Sequence, residues 1–248
     1  MLKNIILLPR GFTLENYSYL FNDNIITSAF LISIIRTVGG TIWYVIITGL
    51  AAYAVTRNKL PYKRAITIFL IIPMYVSGGL IPTFVLISKL HLFNNLLVYI
   101  IPYGFGVFNM LLMRTYFETI PSSLEESAKL DGASDLKVLI KIMLPLSMPI
   151  ISVIGIYVGV WQWNQWFDAL LYMTKTHLKP LQSVLQRLLT EALATVMEAQ
   201  SGRVSQRTIS PTSIQMATLM VTTIPIVCIY PFFQKYFIKG VMIGAVKA

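Results

Sequence analysis

Long apolar runs alternate with short polar punctuation along this 248-residue chain. The first run covers about 25–55, and others cover about 65–87, 96–116, 146–172 and 214–233. Each is long enough to cross a hydrocarbon layer, which takes about 20 residues of helix. The pattern predicts an all-α, polytopic membrane protein with about five spans. Pro73, Gly78-Gly79 and Pro82 interrupt the second run, and Pro225 and Pro231 the last. Breaks of this kind are tolerated in lipid where protein covers the backbone or the backbone lines a cavity. The second run is therefore expected to be a path-lining broken helix or a plain kinked one. In the first run, Gly39-Gly40, Gly49 and Ala51-Ala52 allow close helix approach. Arg36 lies inside the same run, either as a functional intramembrane charge or snorkelling to the interface.

The polar segments set the orientation. Residues 1–26 are mixed and read as a short amphipathic surface segment, with Thr13 placed to cap a helix. Residues 57–64 hold four basic residues and no acid, the signature of a cytoplasmic loop. Alternation then puts 117–145 and the tail, 234–248, in the cytoplasm, and 1–26, 88–95 and 173–213 outside. With Arg114 at the edge of the second one included, the cytoplasmic segments carry eleven Lys and Arg and the longer outer ones eight, a bias of the right sign.

Composition changes this picture little. The chain is 56% hydrophobic and 12% charged, against about 25% charged in soluble domains. Its net charge of +10 would suit nucleic acid or anionic lipid, but basic cytoplasmic loops account for it more simply. The single cysteine, Cys228, excludes an intramolecular disulfide and is expected to be a buried, inert thiol. Residues 1–8 are too short for a signal peptide.

One stretch does not fit a membrane. Half of the ten acidic residues lie between Glu118 and Asp135. Ser122 or Ser123 is expected to cap a helix there, with Glu125 and Glu126 favouring its N-terminal end. Gly132 should stop that helix near Leu130, and a second should run over about 134–144 to Pro145. The result is a cytoplasmic helix–turn–helix too polar for lipid. Its acids would repel phosphate, so it is no nucleic-acid reader.

Glu126-Ser127-Ala128, Asp131-Gly132-Ala133 and Leu144-Pro145 closely resemble the EAA loop of permease subunits in ATP-binding-cassette (ABC) importers, Ser127 standing for the commoner alanine. Phe12 to Tyr17, Ala51 to Ala54, Ile120-Pro121 and Lys239 to Lys247 are similar to the maltose-type carbohydrate-uptake branch. Trp166-Phe167-Asp168 and Pro180-Leu181-Gln182 resemble its complex-oligosaccharide sub-branch. The resemblance covers nearly the whole chain.

It implies the type I ABC importer permease fold, with a transmembrane domain over 27–248, a coupling loop at 118–145 and an outer loop at 173–213. Family members usually have six spans and a cytoplasmic N-terminus. Here the Phe12 to Tyr17 segment stands almost at Met1, so the first family helix is expected to be missing. The resemblance further implies a subunit of a bacterial cell membrane importer without catalysis of its own. Its expected partners are a second permease, two cytoplasmic ATPases, an extracytoplasmic sugar-binding protein and membrane lipid, not nucleic acid. No cofactor or metal is expected on this chain; ATP and Mg belong to the ATPase. Glu125, Glu126, Ser127, Ala128, Asp131, Gly132 and Ala133 are the implied ATPase-docking residues. Lys239, Gly240 and Gly244 lie in a tail that reaches toward the ATPases.

Trp161, Trp163, Asn164 and Trp166 form a candidate substrate path, since aromatic faces suit sugars; an interfacial aromatic belt is the alternative. Asp168 is expected at the outer surface, or else paired with Arg36. A secondary transporter or channel remains the competing class, but it should show embedded acidic or ion-coupling groups and an internal repeat, and neither is evident. His91 and His177 stand alone, and there is no HExxH or Walker A motif.

Overall fold

A single helix, α1, forms the spine of the molecule over Asn24–Thr56. The computed structural model describes residues 24–57, 60–200, 216–228 and 231. The segment with Thr13, residues 201–213 and the tail with Lys239, Gly240 and Gly244 lie outside the described residues. Among the described residues every regular element is helical.

The second apolar run folds as α2 (Lys63–Tyr75) and α3 (Leu80–Lys89), bent by 114°. Proline inside a helix removes a donor and crowds the preceding turn. Pro73, near the end of α2, and the break that follows it make the expected interruption a sharp corner. The third run departs from expectation. Only a 3-10 turn, Leu96–Tyr99, and α4, Val107–Phe117, are regular. Asn95 caps the turn, its side chain accepting from Leu97 N at 3.0 Å, and Pro102 denies a continuing helix its donor.

α5 covers Ser122–Leu130. α6 covers Asp135–Val138 and runs on through a π turn, Leu139–Met143, and a last turn, Leu144–Leu146. α7 (Met148–Asn164) leaves it at 80°, with Pro149 in its first turn, where no helical donor is needed. The single span expected over 146–172 is cut: α7 stops at Asn164, and α8 resumes at Phe167–Tyr172. No glycine or proline lies between Gln162 and Leu170, so the cut has a tertiary cause.

Within the expected outer loop, 173–213, a helix, α9, occupies Leu181–Gln200. Leu181, Val184, Leu185 and Leu188 recur at helical spacing. Leu181 and Val184 are buried with Ile26 and Ala29 of α1 and with Ala217 and Val221 of α10, Met216–Cys228. Cys228, expected buried, is exposed.

Among the described residues, α1 alone is long and apolar enough to cross a membrane by itself, and up to three crossings result if each bent pair, α2–α3 and α6–α7, counts as one. α10 is apolar but shorter.

Three clusters hold the bundle together, and α1 contributes to all of them. Tyr44, Ala52 and Tyr53 pack with α4, α6 and α7. Ile26 and Ala29 pack with Trp163, α9 and α10. Ile32 packs with Ile87, Tyr99 and Tyr172. Segments assigned to one side by alternation meet in space. Asn94 Oδ1 accepts from Thr174 N at 2.8 Å and Lys175 N at 3.2 Å. At the opposite end of α1, Arg57 pairs with Glu125.

Candidate functional site

Two regions carry the sequence candidates, the α5–α6 corner and the wall formed by α4 and α7. The corner is built by short-range chemistry. α5 starts after Pro121, and neither Ser122 nor Ser123 caps it; both lie inside its first turn. The capping expectation is therefore corrected, because Pro121, at φ −57° and ψ 128°, already turns the chain into the helix. Glu125 in the first turn and Lys129 in the last both complement the helix dipole.

The C-terminal end is a complete Schellman closure. Ala133 N donates to Ala128 O at 2.9 Å and Gly132 N to Lys129 O at 3.0 Å. Gly132 takes φ +78°, a left-handed conformation that glycine adopts freely. Ser134 then caps α6, its Oγ accepting from Lys137 N at 3.4 Å. Lys129 Nζ spans the corner, 2.8 Å from Glu125 Oε1 and 2.9 Å from Asp135 Oδ1.

These contacts sort the seven docking candidates. Ala128 and Ala133 pack against the core shared by α1, α4, α6 and α7. Glu125 is held by Arg57 and Lys129. Glu126, Ser127, Asp131 and Gly132 face outward. Sequence reasoning missed Leu130, which is 90% exposed at the end of α5. Its signal was available: two residues past core-facing Ala128, it stands about 200° around the helix.

The second region is a cavity of about 700 Å³. Phe108, Asn109 and Leu112 of α4 line it together with Tyr157, Trp161 and Asn164 of α7, and Gln165 and Trp166 complete the lining. No Lys, Arg, Asp or Glu contributes to this lining. Trp161 packs edge-on against Tyr103 at 5.2 Å. Asn109 Nδ2 donates to the Tyr44 hydroxyl at 2.7 Å. Asn164 Oδ1 accepts from Gln182 Nε2 at 3.3 Å, tying the wall to α9.

Of the four path candidates, Trp161, Asn164 and Trp166 meet here and Trp163 does not. Trp163 lies on the other side of α7, buried against Phe30, and its Nε1 donates to Thr222 O at 3.0 Å. Nothing from the broken α2–α3 pair lines this cavity.

Behind the wall lies a buried ion pair. Arg36 Nη2 is 2.7 Å from Asp168 Oδ2, and Nη1 is 3.1 Å from Oδ1. Nη1 also donates to Gln165 O at 3.1 Å, and Nε and Nη2 donate to Gln162 Oε1 at 3.3 and 3.2 Å. Arg36 is 1% exposed and Asp168 4%. Arg36 therefore does not snorkel, and Asp168 is not a surface residue; of the two expectations for Asp168, the pairing holds. The sequence signal was the pair of polar residues Gln162 and Asp168 in a largely apolar run, matching the lone charge Arg36 in another.

Residues 45–243 match the family described as the binding-protein-dependent transport system inner membrane component. The chain belongs to this family. Over 246 residues it is 36% identical to the polygalacturonan/rhamnogalacturonan transport system permease protein YtcP of Bacillus subtilis (strain 168), covering 99% of this chain and 85% of that protein. It is 34% identical over 246 residues to Protein LplC of the same organism, covering 99% of this chain and 82% of that one. Among solved structures, it matches a bacterial ABC transporter involved in the import of the acidic polysaccharide alginate. The TM-score is 0.83 at 29% identity, over 93% of this chain and 81% of that chain.

The expected all-α importer permease fold therefore holds. The chain is a membrane-embedded permease subunit of an ABC importer, and ATP hydrolysis belongs to separate ATPase subunits. The competing reading, a secondary transporter or channel, is set aside by this membership.

Proposed function

We propose that this chain supplies one half of a membrane path for complex oligosaccharides, including fragments of acidic polysaccharides, and couples that path to a cytoplasmic ATPase through α5. A second permease supplies the other half, and an extracytoplasmic binding protein delivers the sugar. ATP and Mg are held by the ATPase pair; this chain binds neither. The α5–α6 corner and the Arg57 end of α1 face the cytoplasm, and Asn94 with Thr174 lies on the outer side.

The observation that carries the coupling role is the surface of α5. Ala128 on its inner face and Ala133 in the turn that follows pack against the bundle core, while Glu126, Leu130 and the capping Asp131 stand exposed. A helix rigidly joined to the spans on one side and open on the other transmits a displacement applied to it. The sugar role rests on Tyr157, Trp161 and Trp166 beside Asn109, Asn164 and Gln165. Aromatic faces and neutral amides suit a polyhydroxylated chain.

A tagged chain should co-purify with a second permease and two ATPase copies. With its binding protein in proteoliposomes, the complex should import oligogalacturonides upon ATP addition. Retention of the partners without uptake of any plant cell-wall oligosaccharide would overturn the substrate assignment. Purification without an ATPase would overturn the coupling role.

A further inference from the structure

The break between α7 and α8 needs a cause. Gln165 leaves the helix with φ −72° and ψ 129°, although no residue around it is a helix breaker. Continuing the helix would turn the Gln165 carbonyl into the α7 hydrogen-bond ladder. Instead that carbonyl accepts from Arg36 Nη1. Arg36 also grips residues on both sides of the break, Gln162 on α7 and Asp168 on α8. Its five N–H donors are all used across this junction. Tyr99 closes the site, with its ring 4.5 Å from the guanidinium and its carbonyl accepting from Gln162 Nε2 at 3.2 Å.

The two residues released by the break, Gln165 and Trp166, both line the cavity. A planar, permanently charged fork suits such a bridge, because it can satisfy a carboxylate, an amide oxygen and a carbonyl at once.

We propose that Arg36 and Asp168 are positioning residues of the substrate path: from behind the wall they hold α7 and α8 apart and so present Gln165 and Trp166 to the sugar. The inference rests on reading the cavity as that path. It does not require either charged group to touch the substrate, and neither lines the cavity.

Removing one partner alone would strand a buried charge. The decisive variant is therefore the pair Arg36→Met with Asp168→Leu, since apolar replacement of a whole buried pair is often neutral for folding. In the reconstituted importer this pair should assemble at the wild-type level with the second permease and ATPase, while sugar uptake falls about tenfold, in line with the cost of small misplacements in a site. Adding Trp166→Ala to it should cost little more, because residues acting through one another are not additive. Wild-type uptake by the Met/Leu pair, or a fully additive loss with Trp166→Ala, would overturn the proposal.

If the Met/Leu pair does not assemble, Arg36→Lys decides. It keeps the charge pair but loses the fork, so uptake should fall with assembly intact; wild-type uptake would again overturn the proposal. Trp166→Ala alone separates the two readings. If it leaves uptake unchanged, the cavity is not the path. If it lowers uptake while the pair variants do not, the path stands and the positioning role falls.

Discussion

Arg57, the residue following α1, is bound to Glu125 in the first turn of α5, and its guanidinium lies 3.8 Å from the ring centroid of Tyr53. Tyr53 in turn donates its hydroxyl to Asp135 O at 3.1 Å, at the start of α6. The end of α1 is thus fastened to both sides of the α5–α6 corner. A partly exposed ion pair contributes only about 0.2–1 kcal/mol to stability, so its main effect should be mechanical.

Glu125→Gln tests this directly. It removes the charge that holds both Arg57 and Lys129. Thermal stability of the assembled complex should hardly change, while the number of ATP molecules hydrolysed per sugar imported rises several-fold. Glu118→Gln is the control, because the Arg114–Glu118 pair joins residues of a single turn and links no two elements. An equal effect of the two substitutions on coupling would remove the mechanical role from the Arg57 contact.

Gly132 sets the shape of the corner. A side chain in its left-handed conformation costs roughly 1–2 kcal/mol for most residues, and asparagine and aspartate tolerate it best. Space does not limit substitution, since an added Cβ would meet nothing within 4 Å. Gly132→Asn should therefore insert and couple nearly normally. Gly132→Asp should insert as well but lose ATPase coupling, because it adds a charge to the surface that already carries Glu126 and Asp131. Measuring ATPase stimulation by the loaded binding protein distinguishes them, and identical behaviour would show that this surface does not dock.

Leu130 offers a cleaner probe of docking. At 90% exposure it contributes almost nothing to the isolated subunit. Covering a leucine on binding gives about 1.5–3 kcal/mol, so Leu130→Ala should weaken ATPase association by about 10–100-fold at constant permease stability. Titration of purified ATPase against permease in detergent would read this out. Unchanged affinity would place the docking surface elsewhere on the corner.

The parts of this architecture that local chemistry determines were legible in the sequence. The Schellman closure follows from Gly132 and a small neighbour, the corner after α2 from Pro73 and Gly79, and the spine from a long apolar run without proline. What stayed hidden depends on distant partners. Asn164 and Phe167 bracket a break that no local residue explains, because its cause, Arg36, lies on α1. α9 was hidden by its polar composition, although the Leu181, Val184, Leu185, Leu188 spacing was present. A count of apolar residues also could not tell which face of α7 meets the cavity.

That last ambiguity yields the final prediction. Trp161 and Trp163 stand two residues apart, about 200° around one helix. Trp163 is buried, donates its indole N–H to Thr222 O at 3.0 Å and joins α7 to α1, α9 and α10. Truncating a core tryptophan costs about 3–5 kcal/mol, and here it also removes the indole hydrogen bond to Thr222 O. Trp163→Ala should therefore lower the yield of assembled complex before any transport is measured. Trp161 is 36% exposed at the cavity wall, where its truncation leaves the core intact. Trp161→Ala should assemble normally and import sugar more slowly, whereas Trp161→Phe, which keeps an aromatic face, should recover much of the rate. Loss of assembly by Trp161→Ala, or normal assembly with slow import by Trp163→Ala, would reverse the two assignments and with them the side of α7 that faces the sugar.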